Sequence, residues 1–156
     1  MRQISELIIH NSASTWGSVM VIDKWHRERG FNSVGYNFVI LNGKVSPKLT
    51  LPILNGMVEY GRAINKIPAH VRGHNRNSIG ICLIGDTEFT KPQIHSLIIL
   101  LEKLMAEFSA YKISGHYEYT SNKTCPNLDM DIIRSLVGFG KVFDFNRRVS
   151  KLNNVK

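Results

Sequence analysis

The run Ser-Ile-Gly-Ile-Cys-Leu-Ile at residues 78–84 constrains this fold more than any other segment. It is too short for an ordinary helix, and its apolar side chains fall on both alternating faces. Such a strand must be covered on both sides, so it belongs at the centre of a sheet. Other strand-like runs lie at residues 4–10, 36–41 and 111–114. Between them fall three helical patterns. One spans residues 18–29, capped by Ser18 and stopped at Gly30. The second spans residues 92–108, with Ile94, Leu97, Ile98, Leu101, Leu104 and Met105 on one side, and the third residues 129–139. Strands and helices alternate, which predicts an α/β fold: a central mixed β-sheet with about three α-helices on its faces, in a single domain.

Composition sets the limits around that frame. A hydrophobic fraction of 43% and a charged fraction of 21% in 156 residues suit one core of ordinary size. The longest apolar stretch, residues 94–105, is interrupted by Glu102 and Lys103 and is too short to cross a bilayer. Met1-Arg-Gln-Ile-Ser-Glu6 passes straight into the first strand without the apolar segment of a secretory signal. The net charge of +8 predicts attraction to nucleic acid, phospholipid headgroups or cell-wall polymers without choosing among them. No nucleic-acid recognition motif accompanies it. Lys141, Arg147, Arg148, Lys151 and Lys156 fall in residues 141–156 without an apolar period, which reads as a solvated basic extension. Asn42-Gly43 predicts a tight turn closing the strand at 36–41. A second Asn-Gly pair, Asn55-Gly56, follows an apolar stretch, so residues 44–56 read as an inserted hairpin or flap.

The two cysteines do not make a disulfide framework and are read one at a time. Cys82 lies within the central strand, where a small buried thiol is expected. Cys125 lies nine positions after His116 in a polar, loop-like segment ended by Pro126. Imidazole and thiolate bind zinc well, and a catalytic zinc site uses three protein ligands. His10, at the end of an apolar run, suits the third. By spacing alone, a surface histidine and a half-buried thiol remain the alternative.

Five segments, in order, resemble the zinc amidases that include amidase-type phage lysozymes and the peptidoglycan-recognition proteins. They are Ile8-Ile9-His10-Asn11-Ser12-Ala13, Trp25-His26-Arg27-Glu28-Arg29-Gly30-Phe31, and Val34-Gly35-Tyr36-Asn37-Phe38-Val39-Ile40. The fourth runs from Ala69-His70 through Gly73-His74-Asn75-Arg76-Asn77 into the central strand. The fifth pairs Gly115-His116-Tyr117-Glu118 with Lys123-Thr124-Cys125-Pro126. The resemblance implies that His10, His116 and Cys125 hold Zn²⁺, and that Tyr36 and Lys123 are the catalytic partners. Zinc-activated water would then attack the amide between N-acetylmuramic acid and L-alanine in peptidoglycan. Zinc and Lys123 would stabilise the oxyanion, while Tyr36 would hold the water or donate to the tetrahedral species. His70 and Asn37 are candidate substrate contacts. His26 and Arg62 read as structural. Glu118 either orients His116 or forms a structural ion pair.

Two departures from the family pattern stand out: about thirteen extra residues near 44–56, and the basic extension. Family members that only bind peptidoglycan commonly lack a ligand, often the cysteine, so Cys125 favours an enzyme. The alternatives are a non-catalytic muropeptide-binding module or a regulator of a phage RNA polymerase, a partner that some phage amidases of this type restrain. The expected protein is a monomer of phage or bacterial origin. It would be made in the host cytoplasm and reach the wall once the membrane is breached.

Overall fold

The computed structural model describes residues 2–138, 149–152 and 155–156. Five strands form one sheet: β1 (Glu6–Asn11), β2 (Phe38–Ser46), β3 (Leu49–Tyr60), β4 (Ser78–Leu83) and β5 (Lys112–Gly115). Their order is β3-β2-β4-β1-β5, so the all-apolar strand β4 does occupy the centre. The pairs β2–β4, β4–β1 and β1–β5 are parallel, and only the β2–β3 pair within this sheet is antiparallel. The sheet is therefore mixed, as expected.

Helices cover its two faces unequally. On one face, α2 (Lys91–Phe108) and α3 (Met130–Leu136) pack against Leu7, Ile9, Phe38, Ile40, Ile79, Ile81 and Leu83 in the main core. Truncating a core leucine of α2 such as Leu97 or Leu101 costs about 2–5 kcal/mol by the usual cavity argument. α2 begins at Thr90, whose side chain accepts from Gln93 N while the Gln93 side chain accepts from Thr90 N. The buried Gln93 amide also donates to the Ile40 carbonyl in β2 and to the Ile84 carbonyl just past β4.

The other face carries α1 (Val19–Glu28), which packs Ile22 against Val39, Leu41, Cys82 and Ile84. Ser18 caps it, and the Glu59 carboxylate accepts from Val19 N at its positive end. This smaller core sits over β2 and β4. The side chains that β1 turns to the same face, Glu6, Ile8 and His10, lie beyond it.

Two expectations are corrected. Asn42-Gly43 does not close a turn; β2 runs through it, and the hairpin turns at Pro47-Lys48, flanked by the pair Ser46↔Leu49. Asn42 instead pairs with Asn55 across shifts of register, with Gly43 at φ +85° and Gly56 at φ +84°. Positive φ suits glycine in a bulge as well as in a turn. The bulged hairpin docks on its surroundings: Asn42 Nδ2 donates to Thr15 O, Thr90 Oγ1 to Asn55 Oδ1, and Ser96 Oγ to Gly56 O. Residues 44–56 thus lie at the opposite end of β2 from Tyr36.

The chain end is not simply a solvated extension either. Val149 and Leu152 are buried in the main core, and Val155 bridges to Phe89. Lys156 pairs with Glu88 at 2.6 Å. Val149, Leu152 and Val155 recur every third residue, a spacing that the surrounding basic residues obscured. Lys141, Arg147 and Arg148 lie outside the described residues. Among those described, no helix is long and apolar enough to cross a membrane.

Candidate metal centre

Parallel pairing brings the first two site residues together. In the β1–β5 register Ile9 faces Gly115, so His10 and His116 leave adjacent strands at the same level. Their ring centroids are 4.7 Å apart. Cys125 arrives from the following loop, whose Cys125 carbonyl accepts from Tyr117 N at 2.8 Å. Asn127 Nδ2 and Asn11 Nδ2 both donate to Asp86 O, tying that loop to the end of β1. The Cys125 sulfur accepts from Asn11 N at 3.3 Å and lies 3.9 Å from His10 Nδ1. One donor atom from each of His10, His116 and Cys125 lies within 4.8 Å of the other two.

The electrostatics suit a cation. Burial, with His70, His116 and Lys123 nearby, holds His10 well below the usual histidine value. Burial and Lys123 also lower His116. Both imidazoles are thus neutral near pH 7 and keep a lone pair for a metal. Burial pushes the Cys125 thiol up to about 11, although the Asn11 N–H and Lys123 act against it. A thiol so placed becomes a thiolate when a divalent cation sits beside it. The donor set is the N₂S combination that zinc accepts, and its three residues fit that ion.

Around this cluster the structure assigns each remaining residue a place. The Tyr36 ring lies 5.0 Å from the His10 ring. Burial, with Cys82 and Cys125 close by, raises its phenol well above the usual value, so the hydroxyl keeps its proton. The buried Cys82 belongs to the small apolar cluster against which Tyr36 packs. Its core role is therefore joined by a position beneath the site, which its place inside an apolar run concealed. Tyr36 is held from behind: His26 Nδ1 accepts from Gly35 N at 2.8 Å, and Arg62 donates to the Ser33, Val34 and Ile67 carbonyls. Lys123 is exposed, and its charge acts on all three donors.

Asn37, expected in the cleft, is buried, and the backbone engages its amide. Nδ2 donates to Arg62 O and Oδ1 accepts from Gly80 N. It fixes the start of β2. Both ring nitrogens of His70 are likewise engaged within the protein: Nδ1 lies 2.9 Å from His10 Nε2, and Nε2 lies 3.1 Å from Ser78 Oγ. Burial, followed by His116 and Arg2, pushes His70 down to about 3. Glu118 accepts from Gly115 N and pairs with Arg134 at 3.1 Å, which is the ion-pair alternative. Ser78 was not anticipated, because nothing in its spacing from His70 marks it.

The mixed sheet thus gathers two imidazoles and a thiol that could hold a metal ion, with a tyrosine and a lysine beside them. Residues 1–128 match the family described as N-acetylmuramoyl-L-alanine amidase, and the chain belongs to that family. Its activity is that of a peptidoglycan amidase. The endolysin of Escherichia phage T7 is 35% identical over 120 residues, covering 72% of this chain and 71% of the relative. The fold is shared with the N-acetylmuramoyl-L-alanine amidase LysC from Clostridium intestinale URNW. That likeness has a TM-score of 0.70 at 24% identity, over 99% of this chain and 88% of that one. Drosophila PGRP-LB aligns with a TM-score of 0.66 at 26% identity, over 81% of this chain and 76% of that one.

Proposed function

We propose that the chain hydrolyses the amide bond between N-acetylmuramic acid and L-alanine using Zn²⁺ held by His10, His116 and Cys125. The convergence of those three donor atoms within 4.8 Å carries this reading. Two imidazoles and a thiolate select a borderline-soft ion over magnesium or calcium, and three protein ligands is the count of catalytic zinc sites. Bound there, Zn²⁺ would polarise the amide carbonyl and lower the pKa of water toward neutrality.

The chain's own residues supply the rest. Lys123 contributes a cation from the exposed side of the cluster, suited to the charge that develops on the amide oxygen. Tyr36 keeps its proton across the working pH range, so it acts as a neutral hydrogen-bonding group and not as a phenolate base. Its ring against His10 also limits how that imidazole can turn. The site of action is then the bacterial cell wall, the polymer that contains this bond.

The test incubates zinc-loaded protein with purified sacculi and measures free L-alanine amino termini. These should accumulate with the wild type and stay at background with Cys125→Ala. Equal release by both proteins, or binding of sacculi without any release, would contradict the proposal.

A further inference from the structure

The sequence suggested His70 as a substrate contact, yet its ring is enclosed by protein groups on both sides. The chain of contacts runs from His10 Nε2 to His70 Nδ1 at 2.9 Å, then from His70 Nε2 to Ser78 Oγ at 3.1 Å. It ends where Ser78 Oγ donates to the His74 carbonyl at 2.7 Å. That last bond sets the direction of all the others. A carbonyl only accepts, and a hydroxyl has one proton, so Ser78 Oγ must accept from His70 Nε2–H. A neutral His70 with its proton on Nε2 has a lone pair on Nδ1, which accepts from His10 Nε2–H. His10 is then left with a lone pair on Nδ1, the nitrogen that faces the Cys125 sulfur at 3.9 Å.

The fold builds this chain deliberately into the sheet face. Asn75 Oδ1 accepts from both His70 N and Val71 N, fixing the loop that carries the ring. The ring lies flat over Gly80 of β4, where an added Cβ would come within 2.7 Å of His70 Cγ. Any larger residue at position 80 would push His70 off its place. The small residue in the middle of an otherwise bulky strand thus has a use at the site.

We propose that His70 is a positioning residue, oriented by Ser78, that holds His10 in the tautomer presenting Nδ1 to the metal cluster. A ligating histidine ordinarily gives its second N–H to a carboxylate, carbonyl or water. Here a second imidazole takes that part, and a hydroxyl pinned by a backbone carbonyl orients it. The inference rests on the zinc reading above, and it deepens that reading by assigning how one ligand is aimed.

The experiment measures Zn²⁺ affinity by competition with a chromophoric chelator for wild type, His70→Ala, His70→Gln and Ser78→Ala. Melting of each metal-free protein is followed alongside. His70→Ala should weaken zinc about 10–100-fold, the range for such partners. His70→Gln should recover much of the loss, because its amide oxygen can still accept the His10 N–H. Ser78→Ala should lose less than His70→Ala, and KM for a soluble muropeptide should not change in either. If both alanine variants bind zinc as tightly as wild type and KM rises instead, His70 is a substrate contact and the inference fails. If wild type itself takes up no zinc, the proposed function fails and this inference with it. Should His70→Ala not fold, Ser78→Ala still decides.

Discussion

The two ends of β1 carry polar groups on the same face, four residues and about 13 Å apart, and they behave in opposite ways. At the first end, Oε1 of the buried Glu6 carboxylate is engaged by the protein's own groups. Ser114 Oγ donates to it at 2.6 Å, the Tyr119 hydroxyl donates as well, and Lys112 Nζ lies 3.1 Å away. Burial alone would raise its pKa, but these partners outweigh that and hold it below the usual carboxylate value. At the second end, His10, His116 and Cys125 turn acceptor atoms toward one another. One cluster contains its own cation in Lys112. The other, on the proposed reading, would take one from solution. A buried polar group with every partner supplied by the chain is structural, whereas convergent lone pairs mark a place for a ligand.

Substitutions at each end should separate these roles. The largest effect is expected for His116→Ala, which should abolish zinc uptake and drop amide hydrolysis to background while metal-free melting stays close to wild type. Elemental analysis with the sacculus assay reads this out. If the metal-free protein unfolds instead, His116 is structural and the contrast fails. Next comes Lys123→Ala, with zinc stoichiometry retained and kcat lowered about 10²–10³-fold, the cost of losing an oxyanion-stabilising group. Steady-state kinetics on a soluble muropeptide checks this.

At the structural end, Glu6→Gln should reduce unfolding stability by about 1–3 kcal/mol in denaturant titration and leave zinc affinity unchanged. Because the folded Glu6 pKa is depressed, its contribution is present above the unfolded value near 4.5. It is lost as pH falls through the lower folded value. Glu6→Gln should therefore flatten the acid limb of the stability curve. The smallest effect is expected for Glu118→Gln. It weakens a partly exposed pair with Arg134, worth about 1 kcal/mol or less, without moving zinc affinity. A marked loss of zinc would mean that Glu118 orients His116 after all.

The same contrast explains what was legible in the sequence. The central position of β4 follows from apolar side chains on both its faces, and the helices follow from their periods and caps. His10 was legible because a histidine closes an apolar run. Which residue stands opposite it depends on the β1–β5 register, which no local pattern encodes; spacing offered His116 and Cys125 as one of two readings, and the family resemblance chose it. The two Asn-Gly pairs misled because positive φ serves a bulge and a turn alike, and the long hairpin is held by α2, far away in sequence. Val149 and Leu152 were missed because the basic residues around them read as solvated, although the two stand three positions apart. Asn37 carries a polar amide beside Tyr36 just before β2, and only the structure shows that Gly80 N and Arg62 O take up that amide.

The account's central claim is that one thiolate and two imidazoles surround a single ion. The zinc K-edge X-ray absorption spectrum of the loaded protein tests it most directly. One sulfur at about 2.3 Å and two imidazole nitrogens at about 2.0–2.1 Å are predicted. A spectrum with only nitrogen and oxygen neighbours would contradict it.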